Sequence, residues 1–142
     1  MYSSLRIKQE DTTVMGRCDF ILKEQDPVDS SKWTHHAIIE LKVLKDFTHT
    51  GNPFPANENK KAVTEGLDQA RDYRSDHACR LAALSCYDMR KAPNPVDAIA
   101  HEMDRAKREQ IGLWAWPIYN QAKAARTSRR AAGVVAVTKG AG

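Results

Sequence analysis

No apolar run in the sequence approaches the roughly 18 residues that a membrane-spanning helix needs. The first residues, Met1 to Lys8, contain no long apolar stretch, so a secretory leader is not expected. Cysteine is scarce: Cys18, Cys79 and Cys86 are odd in number, and no pair is spaced as CxxC. That spacing disfavours both a disulfide framework and a structural zinc site. Buried free thiols in strands, in a reducing cytoplasm, are the plain expectation. No period of about 20–50 residues recurs, which excludes a repeat architecture. No polar, low-complexity stretch is long enough to leave the whole chain disordered. What is present is ordinary for one soluble globular domain: 142 residues, 42% hydrophobic and 28% charged.

The net charge of +4 hides an asymmetry. Residues 1–103 hold 14 basic and 16 acidic side chains, whereas residues 104–142 hold 8 basic and 2 acidic. A near-neutral body with a basic end suits a polyanionic partner, and equally a solvated helix with a basic tail.

Period-2 alternation predicts a strand from Leu5 to Glu10 and a turn at Asp11-Thr12-Thr13. A second strand follows from Val14 to Lys23, so the pair reads as a hairpin. The segment His36 to Leu44 is the clearest strand, long and rich in branched side chains. A loop with Gly51-Asn52-Pro53 and Pro55 separates it from a helix over Asn59 to Arg74. In that helix Val63, Gly66, Leu67 and Ala70 form one apolar stripe. A fourth strand (Arg80 to Met89) and a second helix (Val96 to Gln110) come next. A last strand over Leu113 to Tyr119 is demoted to an edge by Pro117. The order predicts an α/β fold: a mixed β-sheet flanked by helices. Its core covers residues 1–110, and residues 111–142 form an extension carrying a basic helix.

Two charged anomalies interrupt the strands. Glu40 and Lys42 are two residues apart, so they share a face of the central strand. Buried and unpaired they would be costly, so they either pair with each other or line a working cleft. Asp19 interrupts the apolar run around Cys18 and Phe20. If its strand lies beside the central one, Asp19 and Glu40 converge. Two carboxylates and a backbone carbonyl make a hard-oxygen site suited to Mg²⁺. A lysine beside such a site can hold the attacking water and stabilise charge on a phosphate.

Asp19 followed by Glu40-Leu41-Lys42 resembles the PD-(D/E)XK nuclease superfamily, the restriction-endonuclease-like fold. Gln69 and Tyr73, four apart on one helix face, resemble the QxxxY motif of its RecB-like branch. The resemblance covers roughly residues 5–90. It implies that Asp19, Glu40 and the Leu41 carbonyl hold the metal and that Lys42 is the motif lysine. It further implies that Gln69 and Tyr73 order the site. The implied activity is metal-dependent hydrolysis of nucleic-acid phosphodiesters, DNA rather than RNA by preference, with Mg²⁺ as cofactor and Mn²⁺ able to substitute. Cys18 stands where the family often has proline. Only Met1 to Ser4 precede the first strand, so the helix that opens the family core has no counterpart here. A homodimer, or a fused or separate partner domain, would supply it. The rival readings are an inactive module of the same fold, for nucleic-acid binding or protein assembly, and a plain Glu40–Lys42 ion pair in an interaction domain.

Other residues carry weaker signals. Arg71 and Arg74 flank the helix motif and either touch phosphate or make surface ion pairs. Lys123, Arg126 and Arg130 recur at steps of 3 and 4, one face of a helix, and are candidate phosphate contacts. Trp114 and Trp116 alternate on one face, as packing residues or as a platform for stacked bases. Adjacent His35 and His36 point to opposite strand faces and cannot chelate together.

Overall fold

A computed structural model describes the backbone over residues 5–13 and 16–119, and side chains over 5–8 and 18–119. Strands β1 (Leu5–Thr13), β2 (Gly16–Gln25) and β3 (Trp33–Leu44) form an antiparallel meander. Helix α1 (Ala56–Asp76) then crosses to β4 (Leu81–Asp88), which runs parallel to β3. Two short helices, α2 (Pro95–Ile99) and α3 (Met103–Arg108), flank a 3₁₀ turn at Ala100–Glu102. They lead to β5 (Gly112–Pro117), parallel to β4. The sheet order follows the chain, β1-β2-β3-β4-β5. The protein is therefore of the α/β class, with a five-stranded mixed sheet.

Two features anchor the crossover. Pro55 precedes α1 in an extended conformation, and the helix begins at Ala56 rather than Asn59. Asn59 instead sits inside the first turn, where its amide accepts from the Lys45 N–H (3.0 Å) and donates to the Lys45 carbonyl (2.9 Å). That clamp fixes the end of β3 to the start of the helix. At the other end, Arg74 donates to the carbonyls of Glu109 and Gln110. It thereby satisfies backbone acceptors left open after α3.

The main core lies between α1, the short helices and one face of the sheet. Leu44, Leu84 and Cys86 from the strands meet Val63, Leu67 and Ala70 of α1, with Ala98, Ile99 and Ala106 beyond. A second cluster joins Cys18, Ile21 and Ile38 to Tyr73 and Cys79. The opposite face is different. Ile39 and Val43 on β3 are exposed, as are Trp114 and Trp116 on β5. Among the described residues no helix contributes to a core on that side.

Several sequence expectations shift. Asp11, Thr12 and Thr13 are not a turn but the end of β1, paired with Cys18, Arg17 and Gly16. Turn-like composition yields here to cross-strand pairing. The second expected helix is split at Ala100–Glu102, where Glu102 is buried and its carboxylate accepts from Thr64 of α1 (2.5 Å). Strand β5 belongs to the sheet, so the core runs to Pro117 rather than ending at residue 110. Pro117 does close an edge strand. All three cysteines are free and buried, Cys18 and Cys86 in strands and Cys79 just before β4. Among the described residues no helix is long and apolar enough to cross a membrane.

Candidate active site

Alternation along β3 positions the site. Ile38, Glu40 and Leu44 are buried toward α1, while Ile39 and Val43 point the other way. Glu40 is only 3% exposed, with apolar Ile38 one step before it on that face. Lys42 lies one step further along and reaches back. Its Nζ donates to Glu40 Oε1 (2.8 Å) and to Gln69 Oε1 on α1 (2.6 Å). Gln69 therefore fixes the ammonium from above the sheet, and Glu40 fixes it from within the strand. The helix can sit this close because residue 66 is glycine. A Cβ there would stand 2.7 Å from Leu84 Cδ1 and 3.0 Å from Lys42 Cγ.

Asp19 enters from β2. Strict alternation would place Cys18 and Ile21 on opposite faces, yet both are fully buried in the same cluster. The regular β2–β3 pairing extends to Phe20 opposite Ile39 and no further toward Asp19. The Leu41 N–H thus lacks a main-chain partner on β2, and Asp19 Oδ2 accepts from it instead (2.8 Å). In an extended strand a residue's N–H and C=O point to the same side. The Leu41 carbonyl accordingly faces the same gap as the Asp19 carboxylate.

The electrostatics are asymmetric. Burial pushes the Glu40 carboxyl above its ordinary range, and the Asp19 carboxylate adds to this. The hydrogen bond and charge of Lys42, with the Asp19 main-chain N–H, pull it only part of the way back. Glu40 Oε2 is buried and makes no hydrogen bond of normal geometry. A buried carboxylate oxygen without a partner is expensive and calls for a cation or a proton. Burial, then the charge of Glu40, pushes the nearby Cys18 thiol up to about 12, so it stays neutral and unreactive.

The donor set fits a hard divalent cation: the orphaned Glu40 oxygen, the Asp19 carboxylate and the Leu41 carbonyl are all oxygen donors. It does not fit a softer metal. Among the described residues no three His, Cys, Asp or Glu side chains gather into a metal-binding group. Two acids and a carbonyl would leave the remaining positions of such a cation's shell to water and other oxygen ligands.

The other candidate residues are placed as follows. Tyr73 is buried in the core cluster with Cys18 and Ile38, a wall of the site rather than a lining residue. Arg71 pairs with Asp72 (2.8 Å) and Asp68 (3.3 Å), and Arg74 holds the carbonyls after α3. Both guanidinium groups are thus engaged within the protein. Lys123, Arg126 and Arg130 lie outside the described residues. His36 bonds Glu24 across β2 and β3 (2.9 Å), and the His35 ring meets His77 edge-on. Two contributors were not singled out from the sequence. Gly66 could have been found as a glycine in the middle of an apolar helical stripe, whereas the Asn59 clamp spans 14 residues and leaves no local signal.

No family model matches the chain, and no curated protein or solved structure matches it significantly.

Proposed function

We propose that the protein is a metal-dependent nuclease of the restriction-endonuclease-like fold, hydrolysing phosphodiester bonds of nucleic acid, DNA in the first instance. The observation that carries this reading is the orphaned, buried Glu40 Oε2 beside Asp19 and Lys42. A self-sufficient Glu40–Lys42 ion pair would use both carboxylate oxygens or leave the second in water. Instead one oxygen is held by lysine and the other is buried with no hydrogen bond of normal geometry, the Asp19 main-chain N–H being the other group that acts on the carboxylate. The order of three antiparallel strands, a crossover helix and a parallel fourth strand supports the same reading.

Mg²⁺ or Mn²⁺, held by Asp19, Glu40 and the Leu41 carbonyl, would supply Lewis-acid polarisation of the scissile phosphate and lower the pKa of a bound water. The chain's own residues do the rest. Asp19 holds the Leu41 main chain in place through its N–H. Lys42, oriented by Gln69, presents a fixed ammonium that neutralises charge developing on the phosphate and orients the attacking water. Glu40 holds Lys42 through Oε1, and Oε2 would be the oxygen free to hold the cation. The side chains of Leu44, Val63 and Leu67, all fully buried, keep the wall behind the site dry.

The test is cleavage of linear and circular DNA with Mg²⁺ or Mn²⁺, comparing the wild type with Glu40→Ala. Cutting by the wild type that both chelator and the substitution abolish supports the proposal. The circular substrate separates endonuclease from exonuclease. A wild type as inert as the variant on both substrates refutes it and leaves an inactive binding module.

A further inference from the structure

Among the described residues, nothing covers the apolar sheet face opposite the helices. A shallow cleft of about 420 Å³ on it is lined by Phe20, Leu22, Ile39, Leu41, Trp114 and Trp116, among others. Ile7 on β1 is 74% exposed, and Trp114 and Trp116 on β5 are 50% and 52% exposed. The apolar surface therefore runs across the full width of the sheet. A second cleft continues it past the ends of β3 and β4, where Val43, Phe47 and Met89 are flanked by Lys45 and Lys91. Isolated exposed apolar residues are ordinary, but a contiguous face of aromatic and branched side chains marks a contact surface. Strands that pair in parallel are normally covered on both sides.

Width decides what fits. Adjacent strands lie about 4.8 Å apart, so five strands span roughly 19 Å. One helix is about 10 Å across with its side chains and would leave half the face wet. A second sheet of the same width covers all of it, at the roughly 10 Å spacing of stacked sheets. The geometry points to a second copy of this chain as the occupant, packed sheet to sheet about a two-fold axis. That axis runs across the strands. It sets the end of each copy rimmed by Lys45 and Lys91 over the other copy's opposite end, so the lysines do not meet. Residues 37–43 of β3 extend the face over about 20 Å. The two copies together then bury on the order of 1,000 Å², the floor for a specific pair and well short of an obligate one. A pair of this size is expected to be reversible, with its population set by concentration. Glu40, Lys42 and Gln69 lie on the opposite side of the sheet, so this contact covers none of them in either copy.

Sedimentation equilibrium of the whole chain, from roughly 1 to 200 µM, tests this directly. Tryptophan emission is read at the same concentrations. The expected result is a rise from the chain mass of 15.9 kDa to twice that value, with a blue shift as Trp114 and Trp116 leave water. Trp114→Lys and Ile39→Lys should each weaken association by roughly 30-fold or more. Circular dichroism and unchanged Mn²⁺ uptake show whether each variant keeps its fold. Val96→Glu, at an exposed position of α2 on the helix-covered side of the sheet, should leave the dimer intact. The inference is overturned if the wild type stays at one chain mass with constant emission across the range. A mass beyond two copies, Lys variants that dimerise like the wild type, or a Val96→Glu variant that dissociates also overturns it. A monomeric wild type would assign the face to an occupant other than a second copy.

Discussion

Replacing Gly66 by alanine sets two known effects against each other at the point where α1 touches the site. Alanine in a helix interior is favoured over glycine by about 1 kcal/mol. Against this, the new Cβ would stand 2.7 Å from Leu84 Cδ1, 3.1 Å from Leu84 Cδ2 and 3.0 Å from Lys42 Cγ. Carbon atoms settle at about 3.5–4.0 Å, so the helix and sheet must part by nearly an ångström or Leu84 must leave its rotamer. Leu84 is fully buried, so any new rotamer must be found inside the core. Overpacking of this kind costs about 1–3 kcal/mol, so the net effect is a loss of about 1 kcal/mol. For a domain of this size the melting temperature falls by roughly 4 °C. The functional loss is larger. Gln69 is three residues from Gly66 on the same helix face. Moving the helix outward breaks its 2.6 Å bond to Lys42. If the proposed activity is right, metal-dependent cleavage should drop by roughly 100-fold, the usual penalty for an ångström of misplacement. Thermal denaturation by circular dichroism and initial cleavage rates measure both. A melting temperature that rises by several degrees, with the rate unchanged, would refute the close seating of α1 on β3 and β4.

The remaining expectations concern the buried carboxylates. Glu40→Gln should abolish Mn²⁺ uptake measured by calorimetry while leaving the metal-free protein as stable as the wild type at pH 7. Burial already disfavours the charge that the substitution removes. The folded Glu40 carboxyl holds its proton more tightly than the unfolded one. The metal-free wild type therefore loses stability as pH rises from about 4.5 through the raised value, and Glu40→Gln should lose that slope. Asp88 is the opposite case. Burial alone would raise its carboxyl, but Arg90 (2.8 Å from each oxygen) and the Asn94 N–H hold it below the ordinary range. Its contribution is present above about pH 3.8 and is lost as pH falls through the lowered value. Asp88→Asn should cost about 3 kcal/mol in urea unfolding at pH 7 and flatten the acid limb; an unchanged midpoint would count against the pairing.

The sequence made much of this architecture readable because its signals are periodic. A side-chain period of two put Glu40 and Lys42 on one face of β3, and a spacing of four put Gln69 and Tyr73 on one face of α1. The long apolar run of β3 and the stripe of α1 located the central strand and its cover. Contacts that local pattern cannot encode were not readable. Asp19 meets Leu41 only because β2 breaks alternation around it and its pairing with β3 stops at Phe20, a departure that no spacing announces. Tyr73 and Gln69 share a face, yet one is packed in the core and the other touches the lysine. Their separation follows from how deep each lies under the sheet. The open face was also invisible, because a strand apolar on both sides reads the same whether one side is covered or two.

Leu41 joins these two surfaces. Its main chain is held by Asp19 and turned toward the carboxylates, while its side chain lines the cleft among the tryptophans on the other side. No side-chain exchange can delete a carbonyl. Position 41 is therefore free to vary with whatever rests against the outer sheet, while the oxygen it offers inward stays constant. Variation at this residue would be read by the outer surface alone, and the two faces of one strand could diverge under separate demands.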